Sequence, residues 1–423
     1  VATMRPLRPE VMMNTRWPRW IKILVSSAIG LAVIAIGYFV WLIFLGGIAI
    51  SDRAMLWKML REEGGETPNA EVVARQLRVP EGFRIGVWAE DVPSARLMAG
   101  TATGDVLLTQ PRGGRLLLLR ADRDGDGRSD GRVVLFEGLD RPNGIDLHEG
   151  WLYLAEASRV VRVRFDEAQG RVEGTPQPIV TGLTADGNHW RKSVRVGADG
   201  KLYLGQGSTC NVCIEPDPRR ATVMRFNLDG TAGEIIATGT RNPYGLDWAP
   251  WDGAMYATEN GRDLIGEDIP PDELNRIEAG RDYGWPYVHG RNIVDPEYGP
   301  GNAAKIAAAT PPAHEFRAHN APLGIRFLRH PERPSDYART ALVALHGSWN
   351  RAVPDGYAVV ALDWDADGRI RERPFVQGFR GEAGLIGRPV DVLEAADGSI
   401  YISDDYAGVI YRVTRSMPPP PPT

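Results

Sequence analysis

Cysteine is nearly absent from this chain: its 423 residues hold two, Cys210 and Cys213. No second pair is present to complete a four-cysteine zinc site. Ile214 follows Cys213, so the C-x-x-C-H signature of covalent haem attachment is missing as well. A charge excess of either sign is also lacking: 49 Lys and Arg stand against 54 Asp and Glu, a net charge of -5. That balance excludes the basic surface a nucleic-acid binder needs. Glycine (48), proline (32) and tryptophan (12) are plentiful, which suits many short strands joined by turns.

Charge disappears altogether between Ile23 and Ile50. About 20 apolar residues suffice to cross a bilayer core, and this run is longer. Arg16, Arg19 and Lys22 precede it, with Arg5 and Arg8 upstream and Glu10 opposing them. Positive flanks stay on the cytoplasmic side, so the bulk of the chain is expected outside. A cleaved signal peptide has a shorter apolar core of roughly 7–15 residues, and Gly47-Ile48-Ala49-Ile50-Ser51 is a poor cleavage site. An uncleaved single-pass anchor in the inner membrane is therefore favoured, with the remaining domain in the periplasm or extracellular. Outside the cytoplasm, Cys210 and Cys213 are expected to form a short local disulfide rather than a redox pair or half a metal site.

Beyond Val79 one phrase recurs: a turn with Asp-Gly or Gly, an apolar strand, a loop, and a second strand. It reads Thr103–Leu108 with Arg115–Arg120, Glu149–Leu154 with Val160–Val163, and Asp199–Leu204 with Thr222–Phe226. It continues as Trp251–Tyr256 with Glu273–Ile277, Ala341–Leu345 with Tyr357–Val360, and Asp397–Ile402 with Gly408–Val413. Six such phrases predict an all-β, six-bladed β-propeller. The expected plan is a basic N-terminus (1–22), an anchor (23–50), a polar helical linker (51–78), the propeller (79–415) and a proline-rich tail (416–423). The Pro-, Gly-, Asn- and His-rich stretch between Trp285 and Tyr337 is expected to be an insertion. Asp122-Arg123-Asp124-Gly125-Asp126 opens like an EF-hand loop, but Val133 stands where the closing glutamate belongs. It reads as an Asp-Gly hairpin, with a structural Ca²⁺ site as the alternative.

The chemistry-bearing motifs cluster between Gly187 and Pro286. His189, in Asn188-His189-Trp190-Arg191-Lys192, precedes the strand Ser193–Val196, and its imidazole suits proton abstraction near neutral pH. Arg241 and Asn242 pair a cation with an amide donor, an arrangement that stabilises a developing oxyanion. Thr258-Glu259-Asn260-Gly261-Arg262 ends a strand in a glycine-rich acidic loop.

These blocks, in this order, resemble the soluble glucose/sorbosone dehydrogenase family, whose cofactor is pyrroloquinoline quinone (PQQ). The resemblance covers about Pro80 to Arg415 and is strongest in the middle third. It implies that His189 is the general base and that Arg241 and Asn242 contact the quinone oxygen. It implies that the carbonyls of Gly261 and Arg262 bind Ca²⁺, although the family often has proline where Arg262 stands. Arg388, in Gly387-Arg388-Pro389, matches a position that meets a PQQ carboxylate. Val390 stands where the best-known members carry a second arginine, and Arg351 is the expected compensating cation. Arg191 and Lys192 both follow the histidine as cofactor-binding cations, and Asn143 opens another blade toward the axis. His319, Asn320, His346, Trp190 and Trp349 are either pocket-lining or packing residues. These departures point to the sorbosone-dehydrogenase-like branch.

The expected activity is PQQ- and Ca²⁺-dependent oxidation of a sugar or sugar aldehyde by hydride transfer, with a separate quinone or cytochrome as electron acceptor. The alternatives are a Ca²⁺-dependent propeller lactonase or hydrolase, and a non-catalytic sugar- or protein-binding propeller.

Overall fold

The computed structural model describes residues 18–44, 64–382 and 384–416. The first seventeen residues, 45–63 and the proline run 417–423 lie outside the described residues, and with them parts of the expected anchor, linker and tail. The chain divides into two units, 1–50 and 51–423.

In the first unit a helix, α1, spans Arg19–Phe44. Its apolar side chains, among them Ile23, Ile29, Leu31 and Ile34, are exposed. Among the described residues no helix is long and apolar enough to cross a membrane.

The second unit is a six-bladed β-propeller. Six sheets follow one another along the chain, each starting with its innermost strand and each antiparallel except that blade 3 gains a fifth strand, Arg281–Asp282, paired parallel to Glu234–Thr238. The inner strands are Met98–Gly100, Ile145–His148, Lys192–Val196, Pro243–Trp248, Pro322–Phe327 and Pro389–Glu394. Each touches the next, and the last touches the first, so the ring closes. Blade 6 takes its fourth strand from the other end of the domain: Phe83–Ala89 pairs antiparallel with Val409–Arg415. Closure of this kind leaves no strand at the seam unpaired.

Asp-Gly turns join first strands to second strands, as at Asp199-Gly200, where Gly200 has a φ of +67°. A side chain there would be strained in the left-handed region. Glycine also lets inner strands converge on the axis. A Cβ on Gly245 would lie 2.3 Å from the Leu323 carbonyl oxygen of the neighbouring inner strand. The core lies between blades. Leu107, Leu118, Leu154 and Val161 pack blade 1 on blade 2, and Tyr256, Phe327, Val343 and Trp364 pack blade 4 on blade 5.

Two sequence expectations need adjustment. His314–Phe316 is the outer strand of blade 4 and Pro322–Phe327 the inner strand of blade 5, so the insertion runs from 278 to 313 rather than 285 to 337. The described part of the linker is not a free tether. A helix, α2 (Ala70–Gln76), is N-capped by Asn69, and Val73 and Leu77 join the blade 5–6 core.

Candidate functional site

An antiparallel sheet puts the start of strand 1 and the end of strand 2 on the same side. Residues just before the inner strands and just after the second strands therefore share one face of the ring. The first set supplies Arg96, Asn143, Arg191 and Arg388, with Tyr244 second in its own inner strand. The second supplies Ser208, Asn260, His346 and Asp405.

At the axis Arg96 donates to the Tyr244 hydroxyl and pairs with Asp405 at 2.7 Å. Tyr244 Oη donates to Asn143 Oδ1 at 3.1 Å, and Asn143 Nδ2 donates to the Lys192 carbonyl. His346 Nε2 meets Asp405 Oδ1 at 2.9 Å. Arg388 donates to the carbonyls of His346 and Gly347. Burial, with Arg388 nearby, lowers His346 to about 4. Burial opposes the Asp405 charge, but His346 and Arg96 together hold it well below the usual carboxylate range.

Arg191 reaches the same centre. Its electrostatic neighbours are Arg96, Tyr244 and Asp405, from three different blades, and burial plus Arg96 pull it down to about 10. Its guanidinium stacks on Trp190 at 4.6 Å, as does that of Arg141 at 4.7 Å. It has no carboxylate partner among the described residues, and its Nε is buried without an acceptor. Lys192, the other expected cofactor cation, turns the opposite way, as strand alternation requires. Its Nζ donates to the carbonyls of Thr184 and Trp190. Burial and the adjacent Arg220 lower it to about 7. Lys192 braces the loop that carries His189.

Next to the axis, His189 and Asn242 flank Gly207: a Cβ there would lie 2.6 Å from His189 Cβ and 2.7 Å from Asn242 Oδ1. Burial first, then the charge of Arg241, lowers His189 well below its ordinary value, so it is a neutral imidazole at pH 7. Arg241 is buried and makes four hydrogen bonds, to Asn211 by Nε and Nη2, to the Asn260 carbonyl by Nη1, and to Asp263 at 3.0 Å, which leave one Nη1–H uncommitted. Asn242 Nδ2 donates to Asn260 Oδ1 at 2.8 Å, and its backbone N–H to Glu259. The structure thus brings His189 and Arg241 together.

The loop after Glu259 is rich in oxygen. Burial raises Glu259 well above the ordinary range, and its Oε2 has no partner. Asp272 is raised to about 7 by burial while accepting the Gly261 and Ala321 N–H groups. The Arg262 side chain leaves this loop for Asp295 and Glu297.

Arg351, the expected compensating cation, is instead committed to the 263–270 loop. It pairs with Asp268 at 2.7 Å and donates to the Glu267 carbonyl. His319 holds the same loop through the Gly266 carbonyl. Cys210 and Cys213 are joined as a disulfide. Arg96, Tyr244 and Asp405 escaped the sequence reading as site residues. Their signal was positional, since each sits at the mouth end of a blade strand, but the strand at Met98–Gly100 is only three residues long.

Residues 152–412 match the family described as Glucose / Sorbosone dehydrogenase. An "Uncharacterized protein" of Borreliella burgdorferi is 32% identical over 81% of this chain and 92% of its own length. The pyrroloquinoline quinone-dependent pyranose dehydrogenase of Coprinopsis cinerea is 24% identical over 83% of this chain, which spans 56% of that longer protein. Among solved structures, the calcium structure of a Trichoderma reesei protein of Carbohydrate-Active Enzymes Family AA12 superposes with a TM-score of 0.72. It is 19% identical, with 83% of this chain and all of the other covered, a likeness of fold alone. With the match running through five of the six blades and the mouth face that they share, the chain belongs to the Glucose / Sorbosone dehydrogenase family.

Proposed function

We propose that this protein is a PQQ-dependent sugar or sugar-aldehyde dehydrogenase. One observation carries the reading: Arg191 is aimed at the axis beside Arg96 with no ion-pair partner of its own among the described residues. Uncompensated charge in a dry site is costly, and a cofactor bearing several carboxylates would relieve it. Arg191 and Arg388 would hold those carboxylates, with Asn143 buttressing the same wall. Arg351 and Lys192 would not, since both are spent on loop groups.

The acidic loop fits a hard divalent cation, which takes carboxylate and carbonyl oxygens. Glu259 and Asp272 are buried carboxylates that form no ion pair among the described residues, with Arg241 as their cationic neighbour, and the carbonyls of Gly261 and Arg262 would complete the Ca²⁺ set. PQQ, when bound, supplies the hydride acceptor. His189, neutral and on the mouth face, takes the proton of the substrate hydroxyl. Arg241 and Asn242 present fixed donors where negative charge grows. Trp190, stacked against both Arg141 and Arg191, fixes one wall. A separate quinone or cytochrome would serve as the electron acceptor.

We also infer a membrane-anchored, periplasmic enzyme. The uncharged segment 23–50, the exposed apolar side chains of α1 and the disulfide support that placement.

The test is reconstitution: apoprotein is titrated with PQQ and Ca²⁺, and dye reduction is followed with a panel of aldoses and ketoaldoses. Saturable binding with sugar-dependent dye reduction is expected, lost in His189→Ala while PQQ stays bound. Failure to bind PQQ at saturating Ca²⁺, or lactone hydrolysis without PQQ, overturns the reading. For location, carbonate extraction of cell membranes should leave the full chain in the pellet, and deletion of 1–50 should release it.

A further inference from the structure

The four-residue ring closed by Cys210 and Cys213 sits directly against the pair assigned to catalysis. Ser208 Oγ lies 2.8 Å from His189 Nδ1 and 2.7 Å from the Cys210 carbonyl oxygen. A hydroxyl has one proton and a carbonyl has none to give. Were the Ser208 proton turned to His189, two acceptors would face each other at 2.7 Å. The proton therefore goes to Cys210, and Nδ1 must bring its own. An imidazole that is neutral and protonated on Nδ1 carries its lone pair on Nε2.

The same turn grips Arg241. Asn211 accepts from Arg241 Nε through its carbonyl at 2.8 Å and from Nη2 through Oδ1 at 2.9 Å. Its own side chain is locked by the Asp263 peptide. Nδ2 donates to the Asp263 carbonyl at 3.0 Å, and Oδ1 accepts the Asp263 N–H at 2.9 Å. The backbone is registered too. The N–H groups of Asn188 and His189 donate to the carbonyls of Thr209 and Ser208. Ser208 is fully buried, so water does not compete for these bonds.

We propose that the disulfide-closed turn 208–213 is the positioning element of the site, with Ser208 fixing His189 as the Nδ1–H tautomer so that Nε2 is the base, and Asn211 aiming Arg241. This rests on the dehydrogenase reading for the roles of His189 and Arg241, but the tautomer can be read without turnover. Ser208 and Asn211 are positioning residues: each acts through the group it holds.

The experiment is ¹⁵N-histidine NMR on apoprotein, with His189→Gln to assign the His189 signals. The wild type is expected to show a protonated Nδ1 and a bare Nε2. Ser208→Ala and the Cys210→Ser/Cys213→Ser double variant are expected to give a mixture of tautomers. Asn211→Ala is expected to leave the tautomer unchanged. In PQQ-loaded enzyme Ser208→Ala and Asn211→Ala should each lower kcat about 10- to 100-fold, the scale of a misplaced catalytic group, with KM little changed.

An Nε2–H signature in the wild type overturns the proposal even if every variant misfolds. So does a Ser208→Ala protein that keeps the wild-type pattern, or a double variant with full kcat. A wild type that shows the expected tautomer but never oxidises sugar would sink the dehydrogenase reading and leave the tautomer assignment standing.

Discussion

Gly207→Ala probes the meeting point of His189 and Asn242. An added methyl carbon would sit 2.6 Å from His189 Cβ, 2.7 Å from Asn242 Oδ1 and 3.2 Å from the His189 carbonyl oxygen. Comfortable carbon contacts begin near 3.5 Å, so the two groups must part by roughly 1 Å. Neither can swing away cheaply. His189 Cβ is fixed to a backbone that donates to the Ser208 carbonyl, and the Asn242 amide is held by Asn260. Overpacking of this kind costs about 1–3 kcal/mol. A displacement of about 1 Å at reacting groups costs about 100-fold in rate. Scanning calorimetry should show Tm lowered by several degrees, while kcat of the PQQ-loaded enzyme falls about 100-fold. Gly86→Ala is the control, because a Cβ there meets nothing within 4 Å. A Gly207→Ala enzyme with wild-type kcat and Tm would refute the claim that His189 and Asn242 stand this close because no side chain lies between them.

Arg191→Met should weaken PQQ binding about 10- to 100-fold, the scale of one charge-assisted hydrogen bond, yet raise the Tm of the apoprotein, because an uncompensated cation leaves the axis. Calorimetric titration and thermal melts check the pair, and a lowered apoprotein Tm contradicts it. Lys192→Met should leave PQQ affinity within about 2-fold while lowering kcat, since Nζ holds the carbonyls of Thr184 and Trp190 and only a modest hydrogen-bond contribution is removed. A large affinity loss in the same titration would return Lys192 to the cofactor. The acid limb of kcat/KM should fall below the ordinary histidine value of 6.5, because burial and Arg241 keep His189 deprotonated to lower pH; a limb above 6.5 contradicts it. Stability has the matching sign. His346 titrates near 4 when folded and near 6.5 when unfolded, so acid favours the unfolded chain progressively from pH 6.5 down to about 4, as pH-dependent melts would show.

The six repeated phrases fall on the second and third strands of the six blades. These strands are bonded on both edges and covered on both faces, so they read as apolar runs. Val106–Gln110 and Thr340–Leu345 are buried throughout. Outer strands read poorly because one edge and much of their surface face solvent; Ile370–Val376 alternates with arginine and glutamate. Inner strands are short or carry polar residues for the axis, which is why Pro322–Phe327 passed for insertion. The site split along the same line. His189, Arg241 and Asn242 sit in compact motifs, whereas Arg96 and Asp405 meet across 309 positions and only ring closure brings them together. Side-chain direction was equally hidden: Arg191 and Lys192 are adjacent cations, and only the pleat separates one for the axis from one for the loop.

The two ends of the axis make the charge argument internal to this fold. At the far end, Arg195 lies 3.5 Å from Asp146 and 3.7 Å from Asp247, and Arg329 meets Asp247 at 2.8 Å. Asp391 adds a third carboxylate beside Arg195 and Arg326. Three arginines there face three carboxylates. At the mouth, Arg96, Arg191 and Arg388 share Asp405, His346 is neutral, and the one further carboxylate, Asp404, lies beside Arg388 and is raised to about 7 by burial, so three arginines face at most two carboxylates. The same six strands build both ends, four or so residues apart, so the ring can pair an axial arginine where stability is all that is asked. Leaving Arg191 unpaired at the mouth costs folding free energy that the far end shows to be avoidable. Such a cost persists where a ligand recovers it, and a polyanion seated on the axis recovers it directly. The far end therefore supplies the internal control. Arg195→Met should destabilise the apoprotein by leaving Asp146 without its cation, where Arg191→Met stabilises it, and equal effects of the two on Tm would remove the electrostatic case for a cofactor.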